Sequence, residues 1–155
     1  MVAWRTLSSQ AMSNPPVADV VEIEQLLAKY SVKMTQGDVE TVMREVFTAD
    51  GTYSAFGATY TLAAFPTLVA AAPKGLYLTG TPLLELGENE GTGSQPLLFV
   101  DQTNHSMRMG WYSDTYVRTT DGWRLRTRSM TFLRRHGGAD SGKAHDPTRP
   151  EPGAG

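Results

Sequence analysis

Two side chains are of a type that does not suit the apolar pattern around them. Asp101, in the segment LLFVDQ, is the only carboxylate flanked by a strongly apolar run. A carboxylate drawn into an apolar interior has a raised pKa and could act as an acid or a base. Tyr30 falls on the apolar stripe of a helical segment, where its hydroxyl could donate a hydrogen bond to a ligand oxygen. Each has a structural alternative: Asp101 as a strand-end residue facing water, and Tyr30 as a core residue with a satisfied hydroxyl.

Other kinds of chemistry find little support in the sequence. The chain has no cysteine, which excludes disulfides, thiolate catalysis and sulfur-ligated metals. Its histidines, His105, His136 and His145, lack the spacing of a metal site, and His105 is predicted to lie exposed in a hairpin turn. The sequence has neither a glycine-rich phosphate loop nor a Gly-x-Ser-x-Gly nucleophile turn. We therefore expect no metal and no cofactor.

Length and charge narrow the class of protein further. A chain of 155 residues suits one domain with a single core. The net charge of −2 gives no indication of nucleic acid or an anionic membrane as a partner. The longest apolar run, LAAFPTLVAAA at 62–72, contains a proline and is too short to span a bilayer. The first residues lack the apolar segment of a signal peptide, so we expect a cytoplasmic protein.

The two ends of the chain are predicted to be disordered. Residues 1–18 are interpreted as a leader, in which Met12, followed by SNPP, is a second possible start. Residues 137–155 are rich in glycine and proline and cannot bury enough apolar surface to offset their chain entropy. The folded domain is therefore predicted to span residues 19–136.

Between these ends, helical periodicity comes first and strand patterns follow. A helix is predicted over 19–36, ended by Gly37, and Asp38 is placed to cap a second helix. After Gly75 the pattern becomes long strands joined by turns such as TDG. This order predicts an α+β fold, with the helices packed on one face of a strongly bent antiparallel sheet. A bent sheet closed by helices forms a cone with an interior pocket. The stripe of the first helix is Val20, Ile23, Leu27, Tyr30 and Met34.

Three segments resemble the nuclear-transport-factor-2-like superfamily and, more closely, its SnoaL-like branch. They are KYSVKMTQGDVETVMREVFTADGTY, YLTGTPLLEL and GWYSDTYVRTTDGWRLRTR, and the resemblance covers about residues 20–135. The last segment is the most distinctive, with a Tyr-x-Asp-x-Tyr strand, a DG turn and Trp-Arg on the closing strand. The branch includes polyketide cyclases, scytalone dehydratase and a bile-acid dehydratase. The resemblance implies the cone fold, but it says much less about activity because this fold hosts many chemistries.

The resemblance also implies where a pocket would receive its polar groups. In the dehydratase-like members the position of Tyr30 points into the cone. An aspartate at the position of Thr35 orients a histidine on the first long strand, and the pair removes a proton. The matching strand position here is Tyr77, or Gly80 on a shifted register, and neither is histidine. The sequence therefore keeps the pocket but lacks the family's His–Asp base.

Three further residues match functional positions of the family. Tyr53 is similar to a tyrosine that scytalone dehydratase uses to hold a water or a carbonyl, with ordinary sheet packing as the alternative. Asp101 matches a pocket aspartate of the bile-acid dehydratase. Arg128 matches a cavity-facing arginine of a dehydrochlorinase. Because Arg124, Arg126 and Arg128 alternate in the sequence, a solvated outer face is the competing interpretation for that arginine.

Two functions follow from these expectations. The first is a cofactor-independent dehydratase, isomerase or cyclase acting on a hydrophobic carbonyl or hydroxyl compound. Asp101 and Tyr30 would be catalytic, while Tyr53, Tyr77, Thr35 and Arg128 would bind the substrate. The second is a non-catalytic module that binds a small hydrophobic molecule or serves as a scaffold. In either case we expect a homodimer, because long strands with large side chains on both faces leave an apolar outer surface.

Overall fold

Three helices and one curled sheet make up the described part of the domain. The structure, a computed structural model, describes residues 14–55, 57–133 and 139–141. Its succession of helices and long strands confirms the predicted α+β class. The helices are α1 (Val17–Gln36), α2 (Val39–Glu45) and α3 (Phe65–Ala71). The strands are β1 (Phe47–Ala55), β2 (Ala58–Thr61), β3 (Gly75–Thr79), β4 (Leu83–Leu86), β5 (Glu90–Asp101), β6 (Met107–Thr119), β7 (Gly122–Leu133) and β8 (Ala139–Ser141).

Helix α1 closes the open side of the sheet with its apolar stripe. It begins at Val17, two residues before the predicted start, and Ile23, Leu27 and Tyr30 on its stripe are fully buried. Gly37 ends it in the left-handed conformation, with φ of 77°, which costs glycine no steric penalty. Asp38 then accepts a hydrogen bond from the Thr41 amide and caps α2, as predicted.

The sheet runs in the order β2-β1-β7-β6-β5-β3, with β4 also pairing with β5 and β8 with β7. The prediction of an antiparallel sheet is wrong for one pairing, since β1 runs parallel to β7. A period-two pattern shows which residues share a face but does not give the direction of a neighbouring strand. The segment LYLTGTPLLEL also forms two short strands rather than one long strand. Its break lies at residues 80–82, where the Gly80 carbonyl accepts a hydrogen bond from the Gln95 side chain.

The start of α1 is tied to the β6–β7 hairpin by a buried carboxylate. Asp19 accepts hydrogen bonds from the Trp123 indole at 3.1 Å and from Arg118 at 2.8 Å. The Trp123 hydrogen bond, together with that of Arg118, lowers the pKa of Asp19 against the opposing effect of burial. Trp123 after the DG turn and Arg118 before it therefore hold the start of α1 against the hairpin.

The chain ends are described only in part. Residues 1–13, 134–138 and 142–155 lie outside the described residues, and so does most of what was predicted to be disordered. Ala139–Ser141 differs from that prediction, because it pairs with β7 as strand β8. Within the described ranges, none of the helices is long and apolar enough to cross a membrane.

Candidate functional site

A cavity of about 50 Å³ lies inside the cone, between α1, α3 and the inner face of the sheet. A water-sized group needs roughly 10–15 Å³ of such space, so the cavity holds about three to five of them. Most of the cone is therefore filled with side chains. The cavity is lined by Tyr30, Met34, Tyr53, Phe65, Leu68, Val69, Ala72, Pro73, Tyr77, Leu97, Phe99, Arg108, Met130 and Phe132.

Three of the predicted site residues, Tyr30, Tyr53 and Tyr77, meet at this cavity. Burial raises the pKa of each phenol, and Arg128 only partly opposes this effect at Tyr30 and Tyr53. At neutral pH they are uncharged hydrogen-bond donors. The Tyr53 hydroxyl lies 3.5 Å from the Met130 sulfur, a weak acceptor. The Tyr30 hydroxyl is buried without a hydrogen-bond partner among the described residues.

The mouth of the cavity lies where the lining side chains are partly exposed. Leu68, Val69, Ala72 and Pro73, on and just after α3, are half-buried, whereas the lining residues of β5 and β7 are buried. Arg108 on β6 is half-buried and brings a guanidinium to the same end. The cavity is thus apolar and phenolic inside, with a cation at its entrance.

Behind Tyr30, a buried ion pair fills the middle of the cone. The Arg128 guanidinium donates to both carboxylate oxygens of Asp114, at 2.9 and 2.8 Å, and both side chains are fully buried. The same guanidinium lies 4.4 Å from the ring centre of Tyr30 and 3.8 Å from that of Tyr112. Burial disfavours the cation, but Asp114 outweighs this effect, so the pKa of Arg128 is raised. Arg128 is therefore a permanent charge held by its partner and by two aromatic faces.

Two neighbours also bind this pair, although Arg128 Nη1 is buried without a hydrogen-bond partner among the described residues. The Tyr116 hydroxyl donates to Asp114 at 2.8 Å, and Arg128 donates to the Gln95 side-chain oxygen at 3.2 Å. Gly93 makes room for Tyr116, because a Cβ at that position would lie 2.9 Å from the tyrosine ring. The carboxylate accepts three hydrogen bonds, which is what a buried charge requires.

A β-bulge decides which way Arg128 points. Thr115 on β6 faces Thr127 on β7, but the next residue, Tyr116, faces Leu125, so Arg126 is the extra residue. Simple alternation would place Arg124, Arg126 and Arg128 on one face, and the bulge breaks that pattern. Arg126 is exposed while Arg128 is fully buried. The interpretation of Arg128 as a solvated outer residue is therefore wrong.

Asp101 does not join the cavity. It ends β5, is half-buried, and its carboxylate accepts a hydrogen bond from the Thr103 amide at 2.7 Å. Its backbone carbonyl accepts from the His105 amide in the same turn, where His105 itself is exposed. The expectation that Asp101 enters the apolar interior needs correction, because an aspartate at a strand end stabilises the following turn through its own side chain. The structure supports the alternative of a strand-end residue.

Thr35 and Tyr77 do meet, although not as a catalytic pair. The Thr35 hydroxyl accepts a hydrogen bond from the Tyr77 amide at 3.0 Å and donates to the Ser31 carbonyl at 2.8 Å. It ties α1 to the edge strand β3 and lines the open groove between them rather than the cavity. Thr35 therefore positions the cavity wall that carries the Tyr77 ring.

The sequence contained a signal for Asp114, a buried residue that the sequence analysis missed. In the Tyr-x-Asp-x-Tyr segment, residues 112, 114 and 116 share one strand face by alternation. An aromatic residue on each side of a carboxylate indicates that this face is buried. Asp114 is therefore a better candidate than Asp101 for an interior charge. Arg108 carries no comparable signal, because nothing in its local pattern shows that it reaches a cavity. The described residues contain no group of three or more His, Asp or Glu side chains that could hold a metal ion.

Comparison with solved structures places the fold among known relatives. A protein of unknown function from Mycobacterium tuberculosis is 22% identical, with a TM-score of 0.70, over 77% of this chain and 79% of that one. An NTF2-like protein with a cystatin-like fold from Novosphingobium aromaticivorans is 23% identical, with a TM-score of 0.65, over 72% of this chain and 80% of that one. At these identities the likeness shows the fold alone.

A third structure carries the name of an enzyme. A protein named as a candidate scytalone dehydratase, also from Novosphingobium aromaticivorans, is 15% identical, with a TM-score of 0.69, over 87% of this chain and 97% of that one. No curated protein matches the sequence. The sequence model of the SnoaL-like domain matches residues 15–129, which is most of the described part of the chain. The chain therefore belongs to the SnoaL-like domain family.

Proposed function

We propose that this protein binds a small apolar molecule bearing an oxygen acceptor inside the cone. The observation that carries the proposal is the make-up of the cavity wall. Aliphatic and aromatic side chains form most of it, and the unpaired Tyr30 hydroxyl supplies a buried donor. Specific small-molecule sites combine an apolar wall with a few placed polar groups in this way.

The size of the cavity limits the ligand. About 50 Å³ accommodates roughly three to five non-hydrogen atoms in the enclosed part, far fewer than a steroid or a polyketide contains. A larger ligand would have to displace α3, of which Phe65 is fully buried while the remaining residues are half-buried or exposed. A compact carbonyl or hydroxyl compound is therefore the favoured ligand.

A binding role fits the cavity better than proton abstraction. Within the described residues, no carboxylate or imidazole lines the cavity, and its phenols have raised pKa values. A neutral phenol donates a hydrogen bond to an oxygen but is a poor base at neutral pH. Asp114, the buried carboxylate nearest to these rings, is already engaged by Arg128.

Blocking the cavity tests the proposal. Ala72→Trp places an indole at the mouth, whereas the matched control Ala70→Trp adds the same group on the exposed side of α3. We expect small ketones, alcohols and carboxylic acids to raise the melting temperature of the wild type and of Ala70→Trp, but not of Ala72→Trp. Equal shifts in all three proteins would contradict binding in this cavity.

The enzyme alternative remains a cofactor-independent lyase or isomerase. It is motivated by family membership and by the phenols, which could polarise a carbonyl as an oxyanion site does. Mass spectrometry of small hydroxy-carbonyl compounds incubated with the protein would detect dehydration or isomerisation. Turnover that is lost in Tyr30→Phe but retained in Asp101→Asn would favour an enzyme that uses the phenol.

We also propose that two copies associate through the outer face of the sheet, in the cytoplasm. Strand register aligns Leu76 with Val100 and Met107, and Leu78 with Leu98 and Met109, all pointing away from the cavity. Contiguous apolar patches of this kind usually mark an interface. Met109→Glu should lower the molar mass measured by light scattering from dimer to monomer. Val21→Glu, at an equally exposed site on α1, should leave it unchanged.

A further inference from the structure

Arg108 differs from the other described arginines in having no partner. Its guanidinium makes no hydrogen bond or ion pair with any described residue, although the side chain is half-buried. Its strand register places it opposite Phe99 of β5, on the inner face, so its guanidinium lies beside the mouth of the cavity. The remaining described arginines, Arg44, Arg118, Arg124, Arg126 and Arg128, each contact a carboxylate or a carbonyl.

The surroundings of Arg108 make this exception informative. Phe99 is buried beside it, and the Tyr77 ring lies 5.1 Å from the Phe99 ring. Because no described carboxylate or carbonyl accepts from the half-buried Arg108 guanidinium, its hydrogen-bond donors are available to a ligand at the mouth. Guanidinium geometry matches a carboxylate through two parallel hydrogen bonds.

We infer that the ligand of the cavity is a small monocarboxylate whose carboxylate binds Arg108 at the mouth and whose carbon chain enters the cone, where Tyr30 can donate to a carbonyl or hydroxyl oxygen on that chain. This inference rests on the proposed binding function and narrows its ligand class. Arg108 is the one charged side chain among the described residues that line the cavity. It can therefore neutralise one negative charge on the ligand. The enclosed volume suits an apolar end of roughly three to five atoms, as in butyrate or isobutyrate.

Calorimetric titration with matched pairs of ligands tests this. Butyrate and isobutyrate are compared with butyramide and isobutyramide, which have nearly the same shape but no charge, at pH 7 and low ionic strength. We expect the acids to bind the wild type at least about tenfold more tightly than the amides, as a charge-assisted hydrogen-bonded pair requires. Their affinity should fall as salt is added, while that of the amides should not.

Variants assign the preference to Arg108. Arg108→Met should bind acid and amide equally, and Arg108→Lys should keep part of the preference because the charge remains. Arg126→Met removes an equally charged but exposed arginine outside the cavity and should behave as the wild type. A preference that survives in Arg108→Met would overturn the assignment.

The outcomes also separate the two proposals. If the wild type binds amides as tightly as acids, and Ala72→Trp abolishes both, the cavity is a binding site but the ligand is not a carboxylate. If neither acids nor amides nor the small ketones and alcohols bind, both proposals fail. The salt dependence in the wild type keeps the inference testable even if Arg108→Met does not fold.

Discussion

Two arginines point to the inner side of the same sheet, and the protein treats them in opposite ways. Arg128 on β7 is fully buried, has Asp114 on the adjacent strand and lies between two tyrosine rings. Arg108 on β6 is half-buried at the mouth and has no partner among the described residues. A charge deep in the cone must be neutralised by the protein itself, whereas a charge at the mouth is available to a ligand.

The largest expected effect comes from high pH, which favours ionisation of the phenols buried in the cone. The pKa values of Tyr30, Tyr53, Tyr77, Tyr112 and Tyr116 are raised in the folded protein, chiefly by burial. Their contribution to stability is therefore complete below about pH 10, the value for an unfolded phenol, and is lost as the pH rises above it. A phenol that stays protonated in the folded protein costs up to about 1.4 kcal/mol per pH unit there, so urea unfolding should show a loss of several kcal/mol by about pH 11.

A matched variant checks that estimate. Tyr77→Phe removes one titrating phenol from the cavity wall and should make the decline above pH 10 shallower by about one fifth. Absorbance at 295 nm should show the buried phenols ionising together with unfolding. Stability that is independent of pH up to 11 would contradict the burial of these hydroxyls.

Removing the partner of Arg128 should have the next largest effect. Asp114→Ala leaves a fully buried guanidinium without its carboxylate, and we expect a loss of about 3–5 kcal/mol in the free energy of unfolding by urea. Replacing both residues, as Asp114→Leu with Arg128→Met, removes the buried charge and should cost less than the single change. A single variant as stable as the wild type would show that the pair is solvated.

A smaller effect is expected where α1 holds the cavity wall that carries Tyr77. Thr35→Val removes the hydroxyl that accepts a hydrogen bond from the Tyr77 amide. Such a hydrogen bond contributes about 1 kcal/mol to the free energy of unfolding. Thr35→Ser keeps the hydroxyl and should restore most of that stability. Hydrogen exchange at the Tyr77 amide, measured by NMR, should become faster in Thr35→Val and remain slow in Thr35→Ser.

The smallest effect is expected at Arg108. Because this side chain has no protein partner to lose, Arg108→Met should change the free energy of unfolding by less than about 0.5 kcal/mol. This expected loss of stability is several times smaller than that expected for Asp114→Ala. A loss of more than about 2 kcal/mol, measured by urea unfolding, would mean that Arg108 is a structural residue after all.

Local patterns predicted the helical part of the fold. The stripe through Tyr30, the stop at Gly37 and the cap at Asp38 were all predicted correctly, because each depends on residues within a few positions of one another. The cone shape followed from the order of helices and bent strands, and the placing of Tyr30, Tyr53 and Tyr77 in one pocket followed from the family resemblance. The parallel pairing of β1 with β7 could not be predicted, since it joins segments about 75 residues apart whose patterns carry no direction.

The prediction of the interior charge went wrong for an instructive reason. Asp101 was chosen because its neighbours in sequence are apolar. The burial of a strand residue depends instead on the sheet face on which its side chain lies. Position 101 begins a turn, and its carboxylate is used there. Asp114 stands between Tyr112 and Tyr116 on one face, so period-two reasoning applied to that segment would have found the buried carboxylate.

The bulge at Arg126 has a consequence for how the chain can change in length. Strand β7 carries one residue more than its partner requires, and that residue has an exposed side chain with a weak contact to Glu90 at 3.6 Å. Deleting it would join Leu125 to Thr127 and restore regular alternation, with Leu125 and Arg128 still on the inner face. An insertion elsewhere in the strand would instead turn Arg128 or its neighbours outward. We therefore expect deletion of Arg126 to keep the buried ion pair, and relatives one residue shorter at this position to have the same pair.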